Sequence, residues 1–253
     1  MGGNRGPPLR DPRTLEDAFP GLRHGPGGAI FGLADNFLDL TGPGQALTTE
    51  LAKAHAKILV RQIQALDLHY RNDALERGGF PSTAEGQANL INGLRLDRAK
   101  AFYKKGELRP LQLETLRFLQ TRVDEEYRVG LDLLKAGRLP VRLSAQEAMG
   151  NYIDRQVRKQ LRNFYQSHGI SMARGESAQV NRRAYNSSES TYSLPDSQVG
   201  NIAFDVSLTA KSLSTPQIRR FFQSDFRPQA IVIVRPSQLG PNSTYVLTRP
   251  TGF

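Results

Sequence analysis

Residues 230–234 read Ala-Ile-Val-Ile-Val, five apolar side chains in a row with no polar residue between them. A strand with one wet face alternates apolar and polar positions, so an unbroken run of this kind needs cover on both faces. The chain around it must therefore supply a sheet and packing layers on either side. After residue 171, short β-rich runs at 180–185, 192–194 and 202–209 are separated by Gly, Pro, Asn and Ser. Thr215-Pro216-Gln217 opens a helix with Pro in its first turn, and Tyr245-Val246-Leu247-Thr248 reads as a last strand. Upstream, Ser144-Ala145-Gln146-Glu147 is a capping box for a helix that reaches about residue 167, where Gly169 ends it. Met149, Ile153, Val157, Leu161 and Phe164 form its apolar stripe. The order is helix, three strands, helix, two strands.

The first half differs in class. Residues 1–46 carry Gly-Pro-Pro, Gly-Pro-Gly-Gly and Gly-Pro-Gly clusters and read as an extended leader, with a short helical piece near 29–40. Helical periodicity begins at about residue 47, where Leu51, Ile58, Leu59, Ile63, Leu66 and Tyr70 recur at three- and four-residue steps. Ser82 and Glu85 form a capping box for a second helix that stops at Gly106. A third runs over about 110–136, burying Leu113, Leu116, Leu119, Val123, Tyr127 and Leu131. His55 and His69 read as helix-surface residues. The expected fold is α+β: a leader (1–46), a helical bundle (47–140) and a small α/β domain (141–253).

Composition narrows the chemistry. The chain has no cysteine and four scattered histidines, His24, His55, His69 and His168, which excludes thiolate metal sites and disfavours a histidine cage. Carboxylates remain as ligands, and they suit a hard ion such as Mg²⁺ or Mn²⁺. The net charge of +10 favours a polyanion partner, because neutralised phosphates release counterions. No apolar run approaches the length of a membrane span, and the N-terminal residues have no signal-peptide core, so the chain as it stands is expected to be soluble. Neither a Gly-rich Lys-Ser/Thr phosphate loop nor a Ser-His-Asp or Cys-His signature is present, so NTPase, kinase and thiol-protease readings drop out.

The remaining candidates cluster between residues 192 and 217. Asp196 and Asp205 flank a tight Gly200-Asn201 turn, and a hairpin of that length brings both onto one face. Strand parity puts Asp205, Ser207, Thr209 and Lys211 on one side, with Phe204, Val206 and Leu208 on the other. Two carboxylates with a nearby lysine suit metal-assisted phosphodiester hydrolysis: the metal acidifies its water and the lysine supports developing charge. Competing structural roles stand beside this: an Asx-turn for Asp196, the capping box for Glu147 and a helix-end position for His168. Arg155, Arg158, Lys159 and Arg162 on the helix after Ser144, together with Arg182, Arg183 and Arg219, form the candidate nucleic-acid surface.

Four segments carry a resemblance: Tyr192-Ser193-Leu194-Pro195-Asp196, Phe204-Asp205-Val206, Thr215-Pro216-Gln217-Ile218-Arg219 and Val232-Ile233-Val234-Arg235-Pro236. With the helix-β-β-β-helix-β order, they resemble the PD-(D/E)XK nuclease superfamily, and more narrowly the restriction-endonuclease-like toxin domains that end bacterial polymorphic toxins. The resemblance implies that Asp196 and Asp205 ligate a metal, that Gln217 supports the site and that Glu147 is the carboxylate completing it from the first helix. It further implies a secreted effector that acts in the cytoplasm of competing cells and is neutralised by an acidic immunity protein. The family places lysine two residues after the second carboxylate, where this chain has Ser207. Lys211 lies a further ~13 Å along an extended strand, so it reaches the site only if the chain bends. Two other readings remain open. A metal-free ribonuclease of the barnase, EndoU, colicin or RelE kind, acting on RNA such as tRNA, would draw on His168, Arg182, Arg183, Thr248 and Arg249. A non-catalytic nucleic-acid- or partner-binding module is favoured by Ser207.

Overall fold

The computed structural model describes residues 49–240 and 243–251; the leader and the helical piece expected near 29–40 lie outside the described residues. Five helices come first: α1 (Thr49–Leu66), α2 (Asp73–Gly78), α3 (Ala84–Lys104), α4 (Arg109–Lys135) and α5 (Ala145–Ser167). Strands β1 (Ala178–Val180), β2 (Ala184–Asn186), β3 (Thr191–Ser193), β4 (Ser197–Val199) and β5 (Ile202–Val206) follow. Helix α6 (Pro216–Gln223), strand β6 (Ala230–Val234) and strand β7 (Tyr245–Thr248) complete the chain. The mixed α+β layout, with helices first and a small sheet region after them, is the one the periodicities require. The described residues divide into two compact units, 49–115 with 168–170, and 116–167 with 171–251. The division falls within α4, whereas the change of composition in the sequence lies near residue 140.

In the first unit Ala56, Leu59 and Ile63 of α1 pack with Ile91, Leu94 and Ala101 of α3, and Leu75 of α2 packs against this cluster. Three local expectations are corrected here. Leu51 and Ile58 are exposed while Ala52, His55 and Ala56 are buried, so the inward face of α1 is rotated from the one that large side chains alone suggested. His55, expected at the surface, is accordingly buried, and His69 lies beyond the end of α1 and is exposed. The cap of α3 is Thr83, whose hydroxyl accepts the Gly86 N–H at 3.1 Å, one residue after the expected Ser82. Gly86 explains the shift: a Cβ there would lie 2.9 Å from Pro81 Cβ, so the glycine lets Pro81 fold against the first turn.

In the second unit the main sheet has the order β1-β4-β5-β6-β7, and only the β5–β6 pair is parallel. Three of its strands precede α6 and two follow it, and α6 makes the β5–β6 crossover. Strands β2 and β3 form a separate antiparallel ribbon, which the sequence reading had merged with its neighbours. One face of the sheet, with Ala203, Ile231, Ile233 and Leu247, packs on Ile218, Phe221 and Phe222 of α6. The opposite parity, with Phe204, Val232, Val234 and Val246, is equally buried, so β6 has the two-sided cover that its composition demanded.

Ser144 accepts the Glu147 N–H at 3.1 Å and so starts α5 as expected. Met149, Ile153, Val157, Leu161 and Tyr165 are its buried stripe, with Tyr165 in place of the half-buried Phe164. The C-terminal part of α4 crosses α5 closely: a Cβ on Gly130 would lie 2.8 Å from Met149 Sδ, and the Phe118 and Phe164 rings stack at 4.2 Å. Glu126 accepts from Tyr152 Oη at 2.8 Å and from Gln160 Nε2 at 2.6 Å. Burial, then the bond to Glu126, pushes the Tyr152 phenol up to about 12.

Candidate active site

Asp196 immediately precedes β4 rather than lying inside a strand. The β4–β5 register pairs Ser197 with Phe204, and one step further it sets Asp196 across from Asp205. Gly200, with φ +57°, makes the reversal that joins the two strands. The Asp196 carboxylate accepts the Val206 N–H at 2.7 Å, replacing a ladder acceptor at the end of the sheet. Asp196 and Asp205 are 8 % and 2 % exposed, an unusual burial for two carboxylates.

The chain bends directly after Val206, and that bend corrects the strand-parity picture of residues 207–211. The Ser207 N–H still donates to Val234 O, but the Ser207 hydroxyl then accepts from Thr209 N–H and turns the backbone. Arg235 holds Leu208 O at 3.1 Å. The Tyr245 hydroxyl clamps Lys211, accepting its N–H at 2.5 Å and donating to its carbonyl at 2.7 Å. Lys211 Nζ therefore returns to Asp205 Oδ2 at 2.6 Å and also donates to Gln217 Oε1 at 2.7 Å. Gln217 Nε2 donates to Asp205 Oδ1 at 3.0 Å and closes a three-residue network. Both oxygens of Asp205 are thus engaged, and Lys211 stands at the carboxylate although Ser207 occupies the sequence position expected of it. Asp205 shares strand parity with Ala203 on the α6-covered side, so its face is not the polar face expected from alternation.

The network opens into a cavity of about 670 Å³ lined by Glu147, Asn151, Asp154 and Arg158 of α5 together with Asp196, Asp205, Lys211 and Gln217. All five residues singled out for chemistry from the sequence therefore line one cavity, with Glu147 exposed at its rim. Val206 and Leu208 line it as well, because the strand ends at Val206 and the chain bends there. Asp154 is the residue the sequence reading missed. It lies seven residues after Glu147, two helical turns along the same face, and that spacing was the available signal. Arg158 bonds Asp154 and Asn181 Oδ1 (2.6 Å for the latter) and stands 4.0 Å from Asp196. Asp154 Oδ1 is buried without a hydrogen-bond partner.

Burial, followed by the charges of Asp205 and Asp154, holds the Asp196 carboxyl well above the usual aspartate range. Asp205 is also raised, chiefly by burial, although Lys211 opposes the shift. Among the described residues no three His, Cys, Asp or Glu side chains are grouped to hold an ion by themselves. The donor set suits the way Mg²⁺ is usually held, by one or two carboxylates with water and substrate phosphate supplying the remainder.

A second cavity, of about 700 Å³, is lined by Arg174, Asn181, Arg182, Arg183 and Tyr185, among others. Of the expected nucleic-acid surface, Arg158 lines the first cavity and Arg182 and Arg183 the second. Arg155, Lys159, Arg162 and Arg219 are exposed and line neither. His168, Thr248 and Arg249 are absent from both linings. No helix among the described residues is long and apolar enough to cross a membrane. No protein-family model matches the chain, and comparison with curated proteins and with solved structures gives no match.

Proposed function

We propose that the protein is a metal-dependent nuclease whose cavity, formed around Asp196, Asp205 and Lys211, hydrolyses nucleic-acid phosphodiester bonds. The observation that carries this reading is the return of Lys211 Nζ to Asp205, which unites an ammonium, two buried carboxylates and Gln217 at one cavity. Asp196 and Asp205 would hold Mg²⁺ or Mn²⁺, with water and substrate phosphate completing the set, and the repulsion that Asp205 and Asp154 exert on Asp196 is what a cation relieves. A bound ion would acidify water and neutralise phosphate charge. Lys211 is placed to stabilise negative charge on the attacked phosphate, Gln217 to keep both Lys211 and Asp205 oriented, and Arg158 to bind a phosphate oxygen. The net charge of +10 supports a nucleic-acid substrate and an acidic neutralising partner. The sequence resemblance supports the further reading of an effector toxin that acts inside competing bacterial cells and is checked by an immunity protein.

The test is incubation with plasmid DNA and with total tRNA, each with Mg²⁺, Mn²⁺ or EDTA, alongside Asp205→Ala. Cleavage is expected to need the metal and to fall by roughly a thousandfold or more in the variant, as when a member of a catalytic unit is removed. Cleavage of tRNA that survives EDTA would move the activity to metal-free ribonuclease chemistry. No cleavage of either polymer would leave a binding module.

A further inference from the structure

The β2–β3 ribbon and the second cavity are not used by the chemistry above, yet they adjoin it. Tyr185 and Tyr192 are cross-strand partners with ring centroids 6.1 Å apart and planes inclined at 58°. The Arg183 guanidinium lies 4.5 Å from the Tyr192 ring centroid. The two tyrosines are 53 % and 45 % exposed, so an aromatic pair with a stacked arginine faces outward. Arg174, Arg182 and Arg183 line the cavity beside Tyr185, against the acids Glu176 and Asp225. Asp225 is already occupied: its carboxylate accepts from the Ser187 N–H and hydroxyl, and its own N–H donates to Tyr185 O at 2.7 Å. These bonds pin the ribbon to the loop after α6, so the aromatic pair is held on a fixed support.

The ribbon also borders the carboxylate cavity. Leu194, immediately after β3, lines that cavity, while Tyr185 and Ala184 of β2 line the arginine one. Asn181 belongs to the arginine cavity, yet it accepts from Arg158 of the carboxylate cavity and donates its N–H to Asp196 O at 2.9 Å. It does so with φ +50°, a left-handed backbone that asparagine tolerates better than most residues.

We propose that Tyr185, Tyr192 and Arg183 form a base-stacking platform that leads an unpaired strand toward the carboxylates, making single-stranded nucleic acid the substrate class. Exposed aromatic faces stack on any base, and neighbouring arginines track the phosphates. In a duplex the base faces are covered by their neighbours, so the rings have nothing to stack on. The preference for an unpaired strand follows from the ribbon, and its consequence for cleavage rests on the nuclease reading.

The experiment measures binding, in EDTA, of a fluorescently labelled single-stranded oligonucleotide and of its duplex, by anisotropy and by quenching of tyrosine emission. The chain has no tryptophan, so tyrosine emission is read directly. The single strand is expected to bind about tenfold or more tighter than the duplex and to quench the emission. The Tyr185→Ala/Tyr192→Ala double variant should lose that preference, Tyr185→Phe/Tyr192→Phe should keep it, and Arg183→Ala should weaken binding and flatten its salt dependence. Equal affinity for the two forms, no binding of either, or an unchanged preference in a folded alanine variant would overturn the platform. If the alanine variant fails to fold, absence of quenching in the unmodified protein overturns it instead. Cleavage assayed in parallel separates the two readings. Single-strand preference without cleavage removes the nuclease and keeps the platform, whereas metal-dependent cleavage without that preference does the reverse.

Discussion

The two cavities of the sheet-bearing unit place charge in opposite ways. The first holds Asp196 and Asp205 in the protein interior, and Asp205 spends both of its oxygens on Lys211 and Gln217. The second keeps Arg182, Arg183 and Tyr185 at the surface, with Tyr192 of the adjoining ribbon stacked under Arg183. Buried charges are costly to order and costly to disturb, and once satisfied they hold a geometry without reorganising. Exposed charges and rings cost little and adapt to whatever binds. The molecule thus combines an interior held in one geometry with a surface free to adapt.

The largest expected effect on that contrast comes from Lys211→Met. Removing the ammonium leaves Asp205 buried beside no counter-charge, a change that typically costs about 3–5 kcal/mol. Urea unfolding at neutral pH should show a loss of that order, and adding Asp205→Asn should restore part of it. A loss below about 1 kcal/mol would mean that water reaches Asp205 and that the interior is not as closed as its burial indicates.

Asp196→Asn should act in the opposite direction. Because the folded-state pKa of Asp196 is raised, the protonated form is the one that folding favours, and its contribution is present at low pH and lost as pH rises through the folded value. The amide keeps an acceptor for the Val206 N–H without the charge. Stability at neutral pH should therefore increase, by about 1.4 kcal/mol for each pKa unit of the upward shift, and the gain should vanish below the ordinary aspartate range near pH 4. A gain independent of pH would show that the buried charge of Asp196, with its repulsion by Asp205 and Asp154, is not its cause. Cleavage should fall in the same variant, so stability and activity would move apart at one residue.

The smallest expected effect on folding is that of the Tyr185→Ala/Tyr192→Ala pair, a change within about 0.5 kcal/mol for each half-exposed ring. Thermal melts of the double variant compared with Lys211→Met measure the contrast directly. Comparable losses in the two would place the ribbon in the core's energetics and remove the distinction between the cavities.

Much of this was legible in the residues. The apolar run of β6 demanded cover on both faces, and the Gly200-Asn201 turn set Asp196 opposite Asp205 through a hairpin register that short-range pairing determines. The Ser144 cap was read correctly because its partner is three residues away, whereas the Thr83 cap was displaced by the packing of Pro81 on Gly86. Asp154 was within reach, two turns from Glu147, but its charge reads as a solvated helix position until the sheet beneath it is known.

What the sequence alone determined, then, was the type of the longer elements, the need for a covered central strand and the pairing of two carboxylates across one turn. All of these depend on residues a few positions apart, where backbone geometry leaves few choices. Only the tertiary structure decided that Lys211 reaches Asp205 despite Ser207. The bend that brings it there is clamped by the Tyr245 hydroxyl of β7 and by Arg235, the residue after β6. The same holds for the separation of the β2–β3 ribbon, which Asp225 anchors from beyond α6. Contacts between residues so distant along the chain leave no period in the sequence, because they form only when the sheet and its covering helix have been assembled.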